Sequence, residues 1–338
     1  MSLEKGIRVK LDAVIESWPM IAPLQISGYT FSELPVVVVT LDDGVHAGRG
    51  EAAGVYYLGD LPQAMLAQIE AVRERVESGT TRQELRDLLP PCGARNAIDC
   101  ALWDLESKRA GKPVWLLAAM HAPEPLRTTF TLGADTPQIM AAGARGKYRD
   151  AGAIKLKLLG DGQDAERVRA VRAARGDVWL AVDANQGLTP ESLTELLPTL
   201  IEARVRLIEQ PYQVGQESEL DRLTRHIPLA ADESVQSLKD IAPQVGRFEF
   251  INIKLDKCGG LTEALLMVEE SHRLGLRPMV GNMGGTSLAM APAILVGQCC
   301  DAVDLDGPLF LARDRSPAIV YDRGMVSMPD GVWGWSES

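Results

Sequence analysis

Basic residues are the scarcer charge in this chain: 35 lysines and arginines stand against 46 aspartates and glutamates, a formal net charge of −11. Such a balance repels phosphate backbones and anionic lipid, and no local basic cluster offsets it, so neither nucleic acid nor membrane is an expected partner. Long apolar runs are also missing. No stretch reaches the roughly 18 to 20 apolar residues that cross a bilayer, and the opening Met-Ser-Leu-Glu-Lys-Gly holds no apolar leader, which points to a cytoplasmic protein. Cys92, Cys100, Cys258, Cys299 and Cys300 are odd in number and lack C-x₂-C spacing, which argues against a disulfide framework or a zinc ribbon and leaves buried free thiols. The four histidines, His46, His121, His226 and His272, show no ligand spacing and suit surface or capping positions. Nor does a G-x-G-x-x-G or P-loop follow any apolar strand, so nothing points to a phosphate cradle.

What is present is an ordinary globular composition, 46% hydrophobic and 24% charged, in 338 residues, which is long for one domain. Strand character runs from about residue 10 to 54, with the β-branched run 36–41 closed by the turn signal Asp42-Asp43-Gly44. Helical periodicity follows over 62–78 and 94–110. An α+β unit over residues 1–122 accounts for this region.

Beyond Pro123 and Pro125 short apolar strands alternate with amphipathic stretches. Strands are expected at 128–132, 153–158, 178–183, 205–209, 229–232, 250–254, 278–280 and 302–306. Markers at Lys155, Asp183, Glu209, Asp232, Lys254, Val280 and Asp304 are 28, 26, 23, 22, 26 and 24 residues apart. Spacing this even favours an α/β fold of the (β/α)₈ (TIM) barrel type over 123–308 rather than a doubly wound sheet, with 309–338 left to return to the first unit.

Barrel strands are buried on both sides, so charges at their ends need a reason. Lys155 and Lys157 end the second strand, Asp183 and Asn185 the third, Glu209 the fourth, Asp232 and Glu233 the fifth, Lys254 the sixth, and Asp304 and Asp306 the eighth. Asp183, Glu209 and Asp232 supply the hard oxygen ligands that Mg²⁺ prefers, which makes them the candidate metal ligands. Lys155 and Lys157, two apart on one strand, point the same way. Lys254 lies four strands further round, on the opposite wall, so Lys157 and Lys254 can address the two faces of one substrate. Two opposed amines suit removal of a proton beside a carboxylate and its return to the other face. Mg²⁺, with Lys155, would stabilise the enediolate that forms between these steps.

These residues resemble the enolase superfamily, and within it the muconate lactonizing enzyme subgroup, along essentially the whole chain. The likeness rests on five ordered blocks: Ile154-Lys155-Leu156-Lys157, Val182-Asp183-Ala184-Asn185, Ile208-Glu209-Gln210-Pro211, Ala231-Asp232-Glu233-Ser234, and Asn252-Ile253-Lys254-Leu255-Asp256-Lys257-Cys258-Gly259-Gly260. It implies a capping domain over a modified barrel, Mg²⁺ on Asp183, Glu209 and Asp232, and Lys157 with Lys254 as the acid/base pair. Lys257 reads as structural, since only Lys254 lies inside the strand.

The eighth strand, Val303-Asp304-Leu305-Asp306-Gly307-Pro308, looks like the Asp-x-Asp signature of dipeptide epimerases, whose acids bind the substrate α-ammonium. Two carboxylates two residues apart can clasp one cation. A Mg²⁺-dependent isomerase that inverts the C-terminal residue of a dipeptide is therefore expected. N-acylamino acid racemase, o-succinylbenzoate synthase, cycloisomerase and a non-catalytic ligand-binding barrel stand as alternatives. The partner would be a small dipeptide, with homo-oligomerisation left open. Selectivity is assigned to cap loops at 18–31 and 52–60. Where the family's Ala-Glu epimerases place an arginine, the approximate alignment puts Tyr29, and Phe31, Tyr56, Tyr57 and Leu58 add an apolar lining. A neutral or hydrophobic C-terminal residue is the expected preference.

Overall fold

The computed structural model describes residues 8–26, 29–224 and 226–335, and gives the backbone alone for 24–26 and 29. Strands β1 (Lys10–Ile26), β2 (Tyr29–Asp42) and β3 (Ala47–Ala52) form an antiparallel sheet in that order. Three helices follow: α1 (Pro62–Glu77), α2 (Arg82–Leu88) and α3 (Gly93–Ala110). In β2 the period of two serves two cores. Val37, Val39 and Leu41 join the cluster formed with α1 and α3, whereas Val36 and Val38 join the large cluster that also contains the later strands. Burial on both faces explains why this strand reads as a continuous β-branched run.

Of the stretch 18–31, expected as a loop, residues 18–26 and 29–31 instead belong to the paired strands β1 and β2, whose register shifts between Pro19 and Leu24. Pro19 and Pro23 lack the ladder N–H, which makes this the weakest part of the pairing. Helix α2 falls outside the expected helices, and the sign that marks it is the Thr81/Glu84 capping box. Helix α3 is buried from Gly93 to Ser107 because it lies directly on β3. Contact is that close only because β3 carries glycine: a Cβ at Gly50 would sit 2.2 Å from the carbonyl oxygen of Ala97.

After α4 (Val114–Leu117), β4 (Leu126–Arg127) pairs with a C-terminal hairpin of β13 (Val320–Asp322) and β14 (Met325–Ser327). Eight parallel strands lie between. They are β5 (Phe130–Leu132), β6 (Ala153–Lys157), β7 (Trp179–Asp183), β8 (Leu207–Glu209), β9 (Leu229–Ala231), β10 (Phe250–Ile253), β11 (Arg277–Val280) and β12 (Ala302–Val303), adjacent in chain order. Each falls at its expected place to within a few residues. The Thr129 amide donates to Val303 O at 2.9 Å and the Thr131 amide to Asp306 Oδ2 at 2.6 Å, which brings the first strand beside the last and closes the curl.

Helices α5 (Pro137–Arg145), α6 (Asp164–Ala174), α7 (Pro190–Glu202), α9 (Leu261–Arg273) and α10 (Ser287–Gly297) fill five of the crossovers, α9 being preceded by the single turn α8 (Leu255–Cys258). The crossovers after β8 and β9 hold only 3₁₀ turns, at Glu217–Arg222, Leu238–Asp240 and Ala242–Gln244. Gly215, Pro228, Pro243 and Gly246 interrupt helical propagation there, so the barrel departs from strict alternation.

Period two also decides what the barrel encloses. Ala181, Leu207, Ala230, Phe250 and Met279 form an apolar plug, and Asp183, Glu209, Asp232, Asn252 and Gly281 follow them two positions on, on the same side. The charged layer therefore lies on a dry, packed floor.

Candidate active site

Register explains how the charges meet. Lys157 pairs with Asp183 and Asp183 with Glu209 across β6, β7 and β8, so these side chains leave adjacent strands at one level. Directly after these strands the backbone turns left-handed at Asn185, Gln186 and Gln210, with φ of +40°, +69° and +34°. Such conformations cost energy and cluster at functional sites. Gln210 secures the turn: its Oε1 accepts from the amides of Asp232 and Ser234 at 2.9 and 3.1 Å, and its Nε2 donates to Tyr212 O and Ser234 Oγ.

Lysines occupy the acids. Lys155 Nζ donates to Asp304 Oδ2 and, at 3.2 Å, to Glu209 Oε2, with Asp183 Oδ2 at 3.4 Å. Lys157 Nζ donates to Asp183 Oδ2 at 2.6 Å and Asn185 Oδ1 at 2.8 Å, so both lysines of β6 do face one side. Across the barrel Lys254 Nζ donates to Asp232 Oδ2 at 2.7 Å. Lys257, expected to be structural, donates to Asp232 Oδ1 and Asp232 O, each at 2.6 Å, and to Asn252 O at 3.0 Å. It is buried and fixes Asp232 from behind.

The electrostatics follow from burial. Asp183 and Glu209 are 0% exposed. Burial opposes ionisation of Asp232, yet Lys254 and Lys257 hold its carboxyl well below the usual range. Glu209 is pushed up to about 7 by burial and then by the Asp183 charge, and Glu233 to about 8 by burial, Asp232 and Asp183. For Lys254, burial disfavours the ammonium, but Asp232 and Glu209 outweigh it and raise the pKa.

These groups also bear on the fit to a divalent cation. Six buried carboxylates, Asp183, Glu209, Asp232, Glu233, Asp304 and Asp306, crowd against four amines, Lys155, Lys157, Lys254 and Lys257, and the crowding helps to raise Glu209, Glu233 and Asp306. Glu233 Oε2 and Asn252 Oδ1 are buried without a hydrogen-bond partner. Among the described residues no three acidic, histidine or cysteine side chains already surround a common point, because the lysines take up the oxygens. The donor set, the crowding of the acids and the orphaned oxygens fit a hard divalent cation, which Asp183, Glu209 and Asp232 would hold.

Asp304 gives Oδ1 to the Thr129 hydroxyl and Oδ2 to Lys155, while Asp306 Oδ2 accepts from Thr131 N at 2.6 Å. Burial, then the Asp304 charge, pushes Asp306 up to about 6. Both acids line the central cleft with Lys155, Lys157, Asn185, Asp232, Glu233 and Lys254. The cleft's upper wall is Met20, Phe31, Leu34, Tyr56, Tyr57, Leu61, Phe310 and Leu311, with no arginine among the described lining residues. The Phe31 and Tyr56 rings meet edge-on at 5.1 Å, and Tyr56 and Tyr57 at 5.3 Å. Tyr29 belongs to β2, but its side chain lies outside the described residues.

The sequence reading brings most of this group together, with Asn185 among the expected substrate-binding residues, and misses Asn252 and Asn282 among the supports. Asn252 donates to Glu209 Oε1 at 2.7 Å, Asn185 Nδ2 to Glu233 Oε1 at 3.2 Å, and Asn282 Nδ2 to Asp304 O at 2.7 Å. Asn252 lies two residues before Lys254, so the same alternation that selects the lysine could have selected it.

A capped parallel barrel with opposed lysines above buried acids defines an acid/base enzyme scaffold. The "Mandelate racemase / muconate lactonizing enzyme, N-terminal domain" family matches residues 8–118, and the "Enolase C-terminal domain-like" family residues 139–334. The chain belongs to the mandelate racemase / muconate lactonizing enzyme family of the enolase superfamily. It is 37% identical to an L-Ala-D/L-Glu epimerase of Escherichia coli (strain K12), over 93% of this chain and 98% of that one. An enolase family member from Agrobacterium tumefaciens with homology to dipeptide epimerases, solved with sodium and L-Ala-L-Glu, superposes with a TM-score of 0.91 at 41% identity, covering 97% of this chain and all of that one. A dipeptide epimerase from Enterococcus faecalis V583, solved with Mg and L-Leu-L-Tyr, gives a TM-score of 0.88 at 25% identity over 97% and 98% of the two chains.

Proposed function

We propose that this chain is a Mg²⁺-dependent dipeptide epimerase that inverts the α-carbon of the C-terminal residue. The observation that carries the reading is the placement of Lys157 and Lys254 four strands apart across one cleft, each beside a buried acid. One lysine removes the α-proton and the other protonates the opposite face of the resulting enediolate. Asp183, Glu209 and Asp232 hold Mg²⁺, which supplies positive charge where the substrate carboxylate gains negative charge. Lys155 adds a fixed cation on the same side, Asn185 orients Lys157 through the 2.8 Å contact, and Lys257 keeps Asp232 in place.

Asp304 and Asp306 receive the substrate ammonium. Asp304 already serves Lys155 and Thr129, so Asp306 gives the more available carboxylate. The aromatic and aliphatic upper wall, without arginine among the described lining residues, supports a neutral or hydrophobic C-terminal residue, as does Tyr29 at the sequence position assigned to the arginine of the family's Ala-Glu epimerases. Ala-Glu is the second reading, favoured by the names attached to the Escherichia coli and Agrobacterium tumefaciens proteins.

The same proposal divides the chain into a cap over 1–122 and a barrel over 123–308, with 309–338 returning to the cap. Hydrogen bonds from Trp333, Gly334 and Trp335 to Arg49, Asp104 and Ser107 support that return. A cytoplasmic setting is supported by five free cysteines. No helix among the described residues is long and apolar enough to cross a membrane. The deciding experiment incubates the enzyme with Mg²⁺ and a dipeptide library in D₂O and follows α-deuterium by mass spectrometry. Deuterium should enter unblocked dipeptides with apolar C-terminal residues. Exchange confined to N-acylamino acids would transfer the assignment to a racemase.

A further inference from the structure

The segment 53–61 carries Tyr56 and Tyr57 into the cleft and is bound to the barrel at the buried carboxylate of Asp256 and through the Tyr57 hydroxyl, which accepts from Gln236 Nε2 at 3.4 Å. Asp256 Oδ1 accepts from the Gly54 amide at 2.8 Å, and the amide of Ala53 and the side chain of Asn96 on α3 also donate to this carboxylate. Asp256 is 5% exposed, and burial pushes its carboxyl up to about 7. Burying a carboxylate is costly, and backbone amides from a loop are what make it tolerable here.

Both ends of the contact are sterically fixed. Gly54 has φ of +74°, and a Cβ there would lie 2.1 Å from Asp60 O. Asp60 in turn accepts from the Gly93 amide at 2.6 Å at the start of α3. At the other end Asp256 sits on α8, whose N-cap is Lys254 and whose residues Lys257 and Cys258 donate to Lys254 O at 3.0 Å. One single-turn helix thus holds the lysine at the cleft floor and the fastening for the aromatic segment above it.

We propose that Asp256 is a positioning residue that docks the 53–61 segment, and with it Tyr56 and Tyr57, on the turn bearing Lys254, and so sets which substrate side chain the cleft accepts. The selectivity part rests on the dipeptide reading, whereas the docking part does not.

The test uses Asp256→Asn and Asp256→Ala in the full chain. Hydrogen exchange at the Ala53 and Gly54 amides should accelerate at least ~10-fold while α1 is unchanged. Unchanged exchange at these two amides overturns the docking. Kinetically, KM for a dipeptide with a large C-terminal side chain should rise roughly 10-fold with kcat nearly constant, and its advantage over L-Ala-L-Ala should shrink. A folded variant with faster exchange but wild-type KM and selectivity overturns the positioning role and leaves Asp256 structural. Should Asp256→Ala fail to fold, Asp256→Asn combined with Tyr56→Ala decides. Non-additive effects on KM support action through the segment, and additive effects overturn it. If the wild-type chain turns over no dipeptide, the proposed function falls, and the exchange measurement still decides the docking.

Discussion

The floor and the roof of the cleft are built on opposite rules. On the floor nearly every polar atom has a named partner, and Lys155, Asp183, Glu209, Asp232, Lys254 and Lys257 are all at most 7% exposed. On the roof the lining side chains are aromatic or aliphatic, and Leu61 is 49% exposed. The floor stands on strand ends above an apolar plug, so its groups are held to within the tolerance that proton transfer needs. The roof is a hairpin and a loop, where apolar contacts can be rearranged with little loss. In the proposed function, reaction type belongs to the floor and substrate choice to the roof.

The largest expected effect breaks the floor alone. Lys157→Ala or Lys254→Ala should reduce epimerisation by about 10²- to 10⁴-fold, the scale of a lost general acid or base. The variants should be complementary, each still exchanging the α-proton of one stereoisomer in D₂O. Near wild-type interconversion of both epimers by Lys254→Ala would rule out two-base transfer.

Next comes the metal. Chelation should abolish turnover and added Mg²⁺ restore it, because burial and mutual repulsion of the floor acids, which push Glu209 up to about 7, are what a divalent cation would relieve. Ligand linkage predicts a gain of about 2.7 kcal/mol in folding stability when free Mg²⁺ is at 100 times its Kd. Asp232→Ala should lose both responses, and full activity in EDTA would reject the ligand assignment.

A smaller effect tests the join between the two regions. Blocking the substrate amine should cost ~10²-fold in kcat/KM, since a blocked amine forfeits charge-assisted hydrogen bonds to Asp304 and Asp306 worth about 1.5 to 3 kcal/mol. N-acetyl dipeptides that match their free counterparts would remove the Asp-x-Asp role.

This ordering also describes what the sequence made legible. Few residue types can bind Mg²⁺ or move a proton, and a charge such as Asp183 or Lys254 at the end of a Val- or Ile-rich strand is conspicuous, so the floor could be read residue by residue. Its supports were harder. Asn252 and Gln210 are common polar residues whose roles emerge only when β8, β9 and β10 are in register. The ion pairing of the acids with the lysines was not foreseen either, because spacing along the chain carries no information on where carboxylate oxygens point. Helix content between β8 and β10 was overread, since Pro and Gly there act one residue at a time against an otherwise periodic pattern. The roof was legible only as composition. Aromatics at 31, 56 and 57 could equally have been packing between cap and barrel, and their edge-on contacts show that they pack on one another while lining the cleft.

The smallest predicted effect lies wholly on the roof. The wall stays partly open to water, Leu61 being 49% exposed, so only a fraction of the ~1 to 3 kcal/mol that an enclosed pocket gives per methylene is realised, and preference for a leucine or tyrosine over an alanine at the C-terminus should be roughly 10-fold and graded. A glutamate is disfavoured for a different reason: its carboxylate would be desolvated against Phe31, Tyr56 and Leu61 with no arginine among the described lining residues to receive it. Supplying one should reverse the order. Tyr29→Arg, at the position that the resemblance to the family's Ala-Glu epimerases assigns to their arginine, is expected to raise kcat/KM for L-Ala-L-Glu by about 10-fold, mostly through KM, while leaving kcat for an apolar dipeptide almost unchanged. Measuring both substrates on both proteins separates the possibilities. If the wild-type enzyme already prefers L-Ala-L-Glu and Tyr29→Arg adds nothing, the side-chain carboxylate is recognised by a group other than this wall, and the apolar assignment must be abandoned even though the chemistry of the floor stands.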